Sequence, residues 1–321
     1  MARRKPPQIH GFMIIDKPAG CTSHDVVDRI RRRLGERRVG HAGTLDPDAT
    51  GVLLVGVGSA TRLVRFMDLV NRNGVMTTEK SYTGEVVLGA ETASLDASGE
   101  VTATHDMNDL ISRLEGPDGV AHVQSVVDAN LVGSILQVPP MVSAIRIDGK
   151  RLHELAREGI EVEREARPVV VSRFAVTGIS RNVVSIDVTC SSGTFIRSLA
   201  ADLGRLLGGG AHLRNLRRTA VGAYSVADAA SIDEAPLRPV VEAVRGLSAL
   251  VVTGDEASDL RAATSLGKVL PRERFVGIGP EPWAVIADGQ LLAIYESFSN
   301  AKIGDSMARP AVNLAADSGT T

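Results

Sequence analysis

The chain has 321 residues, 44% of them apolar and 23% charged, with a formal net charge of −2 and two cysteines, Cys21 and Cys190. That length suggests two domains, or one large domain with an appendage, and the apolar content suffices for an ordinary core. The cysteines form neither a metal spacing nor a disulfide framework, no apolar run approaches the roughly 18 residues of a membrane span, and no apolar stretch with a cleavage site follows Met1-Ala2-Arg3-Arg4-Lys5-Pro6-Pro7, so a soluble cytoplasmic protein is expected.

The small net charge hides an asymmetry. Residues 1–75 hold thirteen Lys/Arg against seven Asp/Glu, a net of +6, whereas residues 231–321 hold eight against twelve, a net of −4. A basic N-terminal stretch suits a polyanionic partner, although ordinary solvated helix faces give the same count.

Residues 10–16 read as a strand and Lys17-Pro18-Ala19-Gly20 as a turn. Ser23 is a good N-cap for a helix with Val26, Val27, Ile30 and Leu34 on one face. The opposite face carries Arg29, Arg31, Arg32 and Arg33, with Arg37 and Arg38 just past Gly35. This run leads into residues 40–51, G-H-A-G-T-L-D-P-D-A-T-G, where three glycines and a proline argue against regular helix or strand. The apolar run 52–57 reads as a buried strand. Asp46 thus sits on a tight loop feeding a core strand, as a scaffold presents a reactive group, and Pro47 biases it away from helical φ/ψ. Taken alone, the loop also fits a surface turn. Asp46, Asp48, Thr50 and Gly51 match the early positions of a calcium loop, but Val57 stands where a bidentate glutamate is required. A basic ridge beside a reactive carboxylate is what an enzyme acting on nucleic acid needs.

Gly56-Val57-Gly58 opens a predicted helix over 62–70, and it lacks the third glycine and the acidic residue of a dinucleotide fingerprint. Residues 71–80 read as a polar loop, 82–88 as a strand, 89–99 as a turn-rich link, and 107–133 as helix broken at Gly116-Pro117-Asp118-Gly119. An extended segment runs from Val138-Pro139-Pro140 to Ile147, Asp148-Gly149 turns it, and a short helix over 152–157 follows. Strands are expected over 169–176 and 183–189. A glycine turn at 190–193 precedes an amphipathic helix over 194–207 with Arg197 in its first turn, stopped by Gly208-Gly209-Gly210. Residues 212–219 hold Arg214, Arg217 and Arg218, and 221–226 is strand-like. A boundary is expected near 240–250, then a short helix over 255–263 and strands over 283–287 and 291–295.

Several blocks line up in order: Asp16-Lys17-Pro18-Ala19-Gly20-Cys21-Thr22-Ser23, the loop 40–51, Lys80-Ser81-Tyr82, Val138-Pro139-Pro140 with Ser143-Ala144, Gly149-Lys150-Arg151, Cys190-Ser191-Ser192-Gly193-Thr194-Phe195-Ile196-Arg197, and Leu216-Arg217-Arg218-Thr219. Together they resemble the TruB family of bacterial tRNA pseudouridine-55 synthases, over nearly the whole chain. The resemblance implies a mixed α/β (α+β) catalytic domain with a central, mostly antiparallel sheet, residues 1–245. It implies a small β-rich, PUA-like RNA-binding domain, residues 246–315, and a disordered tail, 316–321. The implied reaction turns uridine 55 in the T-loop (T-arm) of tRNA into pseudouridine, with no cofactor and no metal, and the protein is expected to be a monomer.

That reaction breaks the C1′–N1 bond and forms a C1′–C5 bond, for which a carboxylate serves as nucleophile or base. The resemblance gives this role to Asp46 and leaves open whether it attacks C1′, attacks C6 or removes a sugar proton. Arg197 is expected to pair with Asp46, the alternative being a phosphate contact or a surface arginine. Tyr82 is expected to stack on the target base, the alternative being a core tyrosine. The base must be flipped out of a folded loop, and His41 is expected to fill the vacated space. Lys17 and Pro18 are expected to shape the pocket wall, with Thr44, Leu45 and Ile196 beside them. Arg31, Arg32, Arg33, Arg37, Arg38, Arg214, Arg217 and Arg218 are candidate phosphate contacts.

Phe195 stands where the family has tyrosine, Arg146 for a usual lysine and His153 for a usual tyrosine, and segments 70–80 and 117–124 read as longer than typical. Competing readings are an RNA-guided synthase, disfavoured by the lack of long basic tails, and a tRNA-folding chaperone with catalysis secondary. A hydrolase using Asp46 and Asp48 as a carboxylate pair is weaker, because residues i and i+2 on a loop can point apart.

Overall fold

The computed structural model describes residues 6–143, 145–147, 150–160, 162–300 and 304–315. Its elements run in chain order as β1 (Gly11–Lys17), α1 (Ser23–Leu34), β2 (Val39–Ala42), β3 (Thr50–Val57), β4 (Leu69–Arg72), β5 (Val75–Thr78), β6 (Lys80–Leu88), β7 (Ala90–Thr92), β8 (Val101–Thr104), α2 (Asn108–Leu114), α3 (Gly119–Asn130), β9 (Gly133–Gln137), β10 (Arg146–Ile147), β11 (Lys150–Arg151), α4 (Leu152–Arg157), β12 (Arg167–Ser180), β13 (Val183–Cys190), α5 (Ile196–Leu206), β14 (Ala211–Val221), β15 (Tyr224–Ser225), β16 (Ser248–Val252), α6 (Gly254–Ser265), β17 (Leu270–Pro271), β18 (Trp283–Ala287), β19 (Gln290–Asn300) and β20 (Gly304–Asn313). The chain forms two compact units, residues 1–47, 51–79 and 220–321 in the first and residues 48–50 and 80–219 in the second.

In the first unit, β1 pairs antiparallel with β3, Asp16 opposite Val52 and Lys17 opposite Gly51, and β2 pairs with the other edge of β3, His41 opposite Val55. Successive strand side chains point to opposite faces, and here both faces are apolar. Met13, Ile15, Leu53, Val55 and Val57 pack with Val26, Val27 and Ile30 of α1. On the other face, Phe12, Ile14, Val52 and Leu54 share a cluster with Leu247, Ala284, Leu291, Ile294 and Leu314. The C-terminal residues build a sheet of order β16-β18-β19-β20-β17, in which β16 and β18 are parallel. Phe275 stacks on Trp283 at 4.6 Å in the separate core of that module. Tyr295 in the same core donates to Lys268 O at 2.9 Å, and burial pushes its phenol up to about 12.

In the second unit the strand order is β14-β6-β13-β12-β9. The β6–β13, β13–β12 and β12–β9 pairs are antiparallel. Helix α3 is tied to β12 by Gln124, whose side chain accepts from Val176 N at 2.7 Å and donates to Phe174 O at 2.8 Å.

Four local expectations are corrected. The N-cap of α1 is Thr22, which accepts from Asp25 N at 3.1 Å while Asp25 accepts from Thr22 N at 2.8 Å. Residues 40–42 are strand, because β3 offers an edge for them to pair with. The expected helix over 62–70 is a 3-10 segment, Gly58–Phe66, entered so tightly that a Cβ on Gly56 would lie 2.7 Å from Ala60 O. The expected loop over 71–80 is largely a hairpin, β4 with β5 over residues 69–78, turning at Asn73 (φ 52°) and Gly74 (φ 83°), the two left-handed residues of a type I′ turn. The expected turn at Asp148-Gly149, residue Ala144 and the tail 316–321 lie outside the described residues.

Because residues 247–314 complete the core over Phe12 and Ile14, a chain ended at Val244 should not fold as the full chain does. Leu291, Ile294 and Leu314 alone represent about 1.5–3 kcal/mol each of burial, against a total stability of about 5–15 kcal/mol. Thermal unfolding followed by circular dichroism should show the cooperative transition lost or strongly lowered. A truncated chain melting cooperatively within about 5 °C of the full one would contradict a shared core.

Candidate active site

The loop that carries Asp46 is pinned on both sides. Lys17, at the end of β1, is 0% exposed, and its Nζ donates to Pro18 O at 2.9 Å, Cys21 O at 2.7 Å and Pro47 O at 2.9 Å. Gly20 N adds a bond to Pro47 O at 3.1 Å. Ser23, freed from capping by Thr22, donates through Oγ to Leu45 O at 3.2 Å and accepts from Leu45 N at 2.9 Å. Gly43 (φ 72°) supplies the left-handed turn between β2 and this clamp. Asp46 is therefore the half-buried residue between two anchored neighbours, Leu45 being 3% exposed. His41 is half-buried on β2, while Thr44 and Pro18 are exposed. Lys17, Pro18, His41, Thr44 and Leu45 thus belong with Asp46 to the first unit.

Arg197, Ile196 and Tyr82 belong to the second unit. Tyr82 is 8% exposed on β6, opposite Val188. Arg197 is 4% exposed in the first turn of α5. Its guanidinium donates to Ser94 O and Val142 O, each at 2.8 Å, and its Nε lies 3.6 Å from the Asp96 carboxylate. Asp96 sits in a built turn: its Oδ1 accepts from the Ser94 and Ser98 hydroxyls at 2.6 Å each and from Ser98 N at 3.1 Å. Thr92 Oγ1 donates to Asp96 O at 2.7 Å, and Leu95 is held at φ 62°, a conformation that bulky residues rarely adopt. The start of α5 is fixed by Gln137, which accepts from Phe195 N at 2.8 Å and donates to Phe195 O at 3.1 Å. Residue 195 thus holds this turn through its backbone. Burial pushes the nearby Cys190 thiol up to about 11, so it stays protonated at neutral pH and offers no nucleophile.

Sequence reasoning did not select Asp96, Ser94, Gln137 or Ser23's bonds to Leu45. For Asp96 a signal existed: Asp96-Ala97-Ser98-Gly99 is the pattern of an aspartate hydrogen-bonding its own turn.

The basic residues divide by what their guanidiniums already hold. Arg31 donates to Asp28, Arg37 O and Val39 O, Arg33 to Ile232 O and Ala235 O, and Arg214 to Glu85 at 2.5 Å. Arg217 reaches Thr50 Oγ1 at 3.4 Å. Arg218 is 1% exposed, so it is a buried cation and not the surface phosphate contact expected of it. Arg32, Arg37 and Arg38 are exposed.

The "TruB family pseudouridylate synthase (N terminal domain)" profile matches residues 31–196, and that of the "tRNA pseudouridylate synthase B C-terminal domain" matches 197–239. The chain is similar to the protein named tRNA pseudouridine synthase B of Thermobifida fusca, 43% identical over 301 residues, covering 90% of this chain and 95% of that one. It is likewise similar to that of Corynebacterium glutamicum (strain R), 42% identical over 296 residues, covering 89% and 92%. Among solved structures, an H/ACA RNP bound to a substrate RNA containing 2′-deoxyuridine shares the fold, with a TM-score of 0.63 at 22% identity over 94% of this chain and 84% of that one. A Cbf5-Nop10-Gar1 complex gives a TM-score of 0.63 at 24% identity over 96% and 86%. The chain belongs to the TruB family of pseudouridylate synthases.

Proposed function

We propose that the chain isomerises uridine 55 in the T-loop of tRNA to pseudouridine, with Asp46 as the carboxylate that acts on the nucleotide. The observation that carries this reading is the double clamp on Asp46, through Ser23 to Leu45 and through Lys17 to Pro47, in a member of this family. The names of its relatives support tRNA as the substrate class.

In the proposed reaction the C1′–N1 bond breaks, the uracil turns while held, and C5 bonds to C1′. C5 then loses its proton and N1 gains one, so composition and oxidation state are unchanged. Asp46 either forms a covalent bond to the nucleotide or takes a proton from it. Arg197 pairs with Asp46, and Asp96 with Ser94 holds Arg197 from behind. Tyr82 stacks on the flipped base, and His41 fills the space it leaves. The PUA-like module, residues 246–315, contacts RNA away from the T-loop, and the protein acts as a cytoplasmic monomer.

Incubation with unmodified tRNA followed by pseudouridine mapping tests the reading, with modification expected at position 55 alone. Asp46→Asn should lower the rate by more than about a hundredfold with little change in tRNA affinity, since phosphate contacts supply most of the affinity. Residual activity above that level would remove Asp46 from the chemistry.

A second set of variants tests the cation. Arg197→Lys keeps the charge and loses the planar fork, so single-turnover rates should fall steeply. Asp96→Asn keeps an acceptor for Ser94 and Ser98 and removes the charge facing Arg197. A rate loss of about tenfold or more is expected, with tRNA affinity unchanged. Wild-type rates in both variants would place this pair outside the active site.

A further inference from the structure

Gln137 is the last residue of β9, the edge strand of the second unit's sheet. Its side chain is buried, 2% exposed, whereas its neighbours Leu136 and Val138 are exposed. A polar side chain turned inward must find its partners there. Gln137 finds both on one residue: Oε1 accepts from Phe195 N at 2.8 Å, and Nε2 donates to Phe195 O at 3.1 Å. Phe195 is the N-cap of α5, and its own side chain makes no capping bond. Its carbonyl also accepts from Leu199 N at 3.2 Å, the first bond of the helix. The amide of Gln137 thus fixes the residue from which α5 starts, just ahead of Arg197.

The chain that leaves Gln137 runs across the same turn of α5. Val138 O accepts from Ser198 Oγ at 3.0 Å, and Val142 O accepts from the Arg197 guanidinium at 2.8 Å. Between them, Pro139 and Pro140 are buried and have no N–H to offer, and Pro139 O accepts from Arg164 at 3.1 Å. Each proline fixes its own φ and disfavours helical φ/ψ in the residue before it, so this strap is a stiff spacer. A cavity of about 370 Å³, lined by Leu95, Met141 and Arg164 among others, lies against it, so on that side hydrogen bonds hold the strap in place of packing. Gln137 grips the root of Arg197 through Phe195, and the strap that begins at Gln137 supplies an acceptor for the tip. A shift of one moves the other.

We propose that Gln137 is a positioning residue for the reaction, acting through Arg197: its amide sets where α5 begins and, through the 138–142 strap, where the guanidinium points. This rests on the reading above in which Arg197 pairs with Asp46. A planar amide offers one acceptor and one donor, which match the N–H and C=O of Phe195. An ionised glutamate offers acceptors only, and a protonated one regains a donor. Methionine fills the volume and makes neither bond.

Single-turnover rates at saturating unmodified tRNA, with affinity measured on the same preparations, test the proposal. Gln137→Met should be slower by about tenfold or more at every pH, with affinity within about threefold of wild type. Gln137→Glu, divided by wild type at each pH, should be as slow near about pH 8.5 and recover toward about pH 6. Burial beside Phe195 O lifts that carboxyl above the ordinary value of about 4.3, and protonation restores the donor. Ser198→Ala frees Val138 O with Gln137 in place and should slow the reaction about threefold, while Leu136→Ala, on the exposed side of the same strand, should match wild type. Amide hydrogen exchange over residues 194–199, measured without RNA, should be faster in Gln137→Met. A Gln137→Met rate within about twofold of wild type would overturn the positioning role. A Gln137→Glu ratio that does not change with pH would overturn the two-sided grip on Phe195. Leu136→Ala slowed as much as Gln137→Met would assign the effect to the edge strand and not to Gln137. Should Gln137→Met fail to fold, full rates in Gln137→Glu and Ser198→Ala would still overturn the proposal. Wild-type protein that leaves the tRNA unmodified refutes the functional reading, and the exchange rates then judge the grip; wild-type protein that modifies it alongside a full-rate Gln137→Met refutes the positioning role alone.

Discussion

The buried ammonium of Lys17 ties three pieces of chain together at the base of the loop that carries Asp46. Its three donors go to Pro18 O, Cys21 O and Pro47 O, which belong to the exit from β1, the entry to α1 and the loop after Asp46. A fully desolvated cation is costly unless its donors are satisfied, and hydrogen bonds from a charged group are worth about 1.5–3 kcal/mol each. Lysine suits the position because a compact ammonium directs three donors at separate carbonyls, whereas a guanidinium is a planar fork. Ser23 completes the arrangement from the other side by gripping both polar backbone groups of Leu45. With both flanking residues held, the direction of Asp46 follows from the backbone.

That clamp stands on β1 and β3, whose two faces are buried differently. Helix α1 covers Met13 and Ile15, while Phe12 and Ile14 face a cluster that includes Leu291, Ile294 and Leu314 from the end of the chain. The strand carrying Lys17 is therefore supported by residues nearly 300 positions away in sequence. The basic N-terminal region and the acidic C-terminal module form one compact unit, so the part proposed to touch distant RNA also bears on the rigidity of the Asp46 loop.

Much of the molecule was legible in the sequence, and the gaps have physical causes. The apolar runs of β1 and β3, the period of α1 and α5, and the broken helix at 116–119 follow from local pattern, as does the placement of Asp46 on a loop before a core strand. The choice of Asp46, Arg197, Tyr82 and His41 needed the family resemblance, since a lone charged or aromatic residue carries no local signature of its role. Thr22 and Ser23 are both good caps, and only the position of Leu45, 22 residues on, decides that Ser23 bonds elsewhere. Asn73-Gly74 is a local hairpin signal, masked by the polar residues on either side of it. The support of Arg197 by Ser94, Asp96 and Val142 spans up to 103 residues of sequence, and no periodicity reports contacts of that range. Which arginines are held by backbone carbonyls is likewise a tertiary matter: Arg33, exposed like its neighbour Arg32, donates to Ile232 O and Ala235 O.

The most direct test of a clamped Asp46 is the single-turnover rate of pseudouridine formation by Lys17→Met at saturating tRNA, with tRNA affinity measured on the same preparation. Methionine keeps much of the volume and removes all three donors. A rate at least about tenfold lower with affinity within a few-fold is expected, because loss of near-attack geometry slows chemistry more than it weakens phosphate binding. A folded Lys17→Met protein that modifies tRNA within about twofold of the wild-type rate would contradict the clamp as the basis of catalysis.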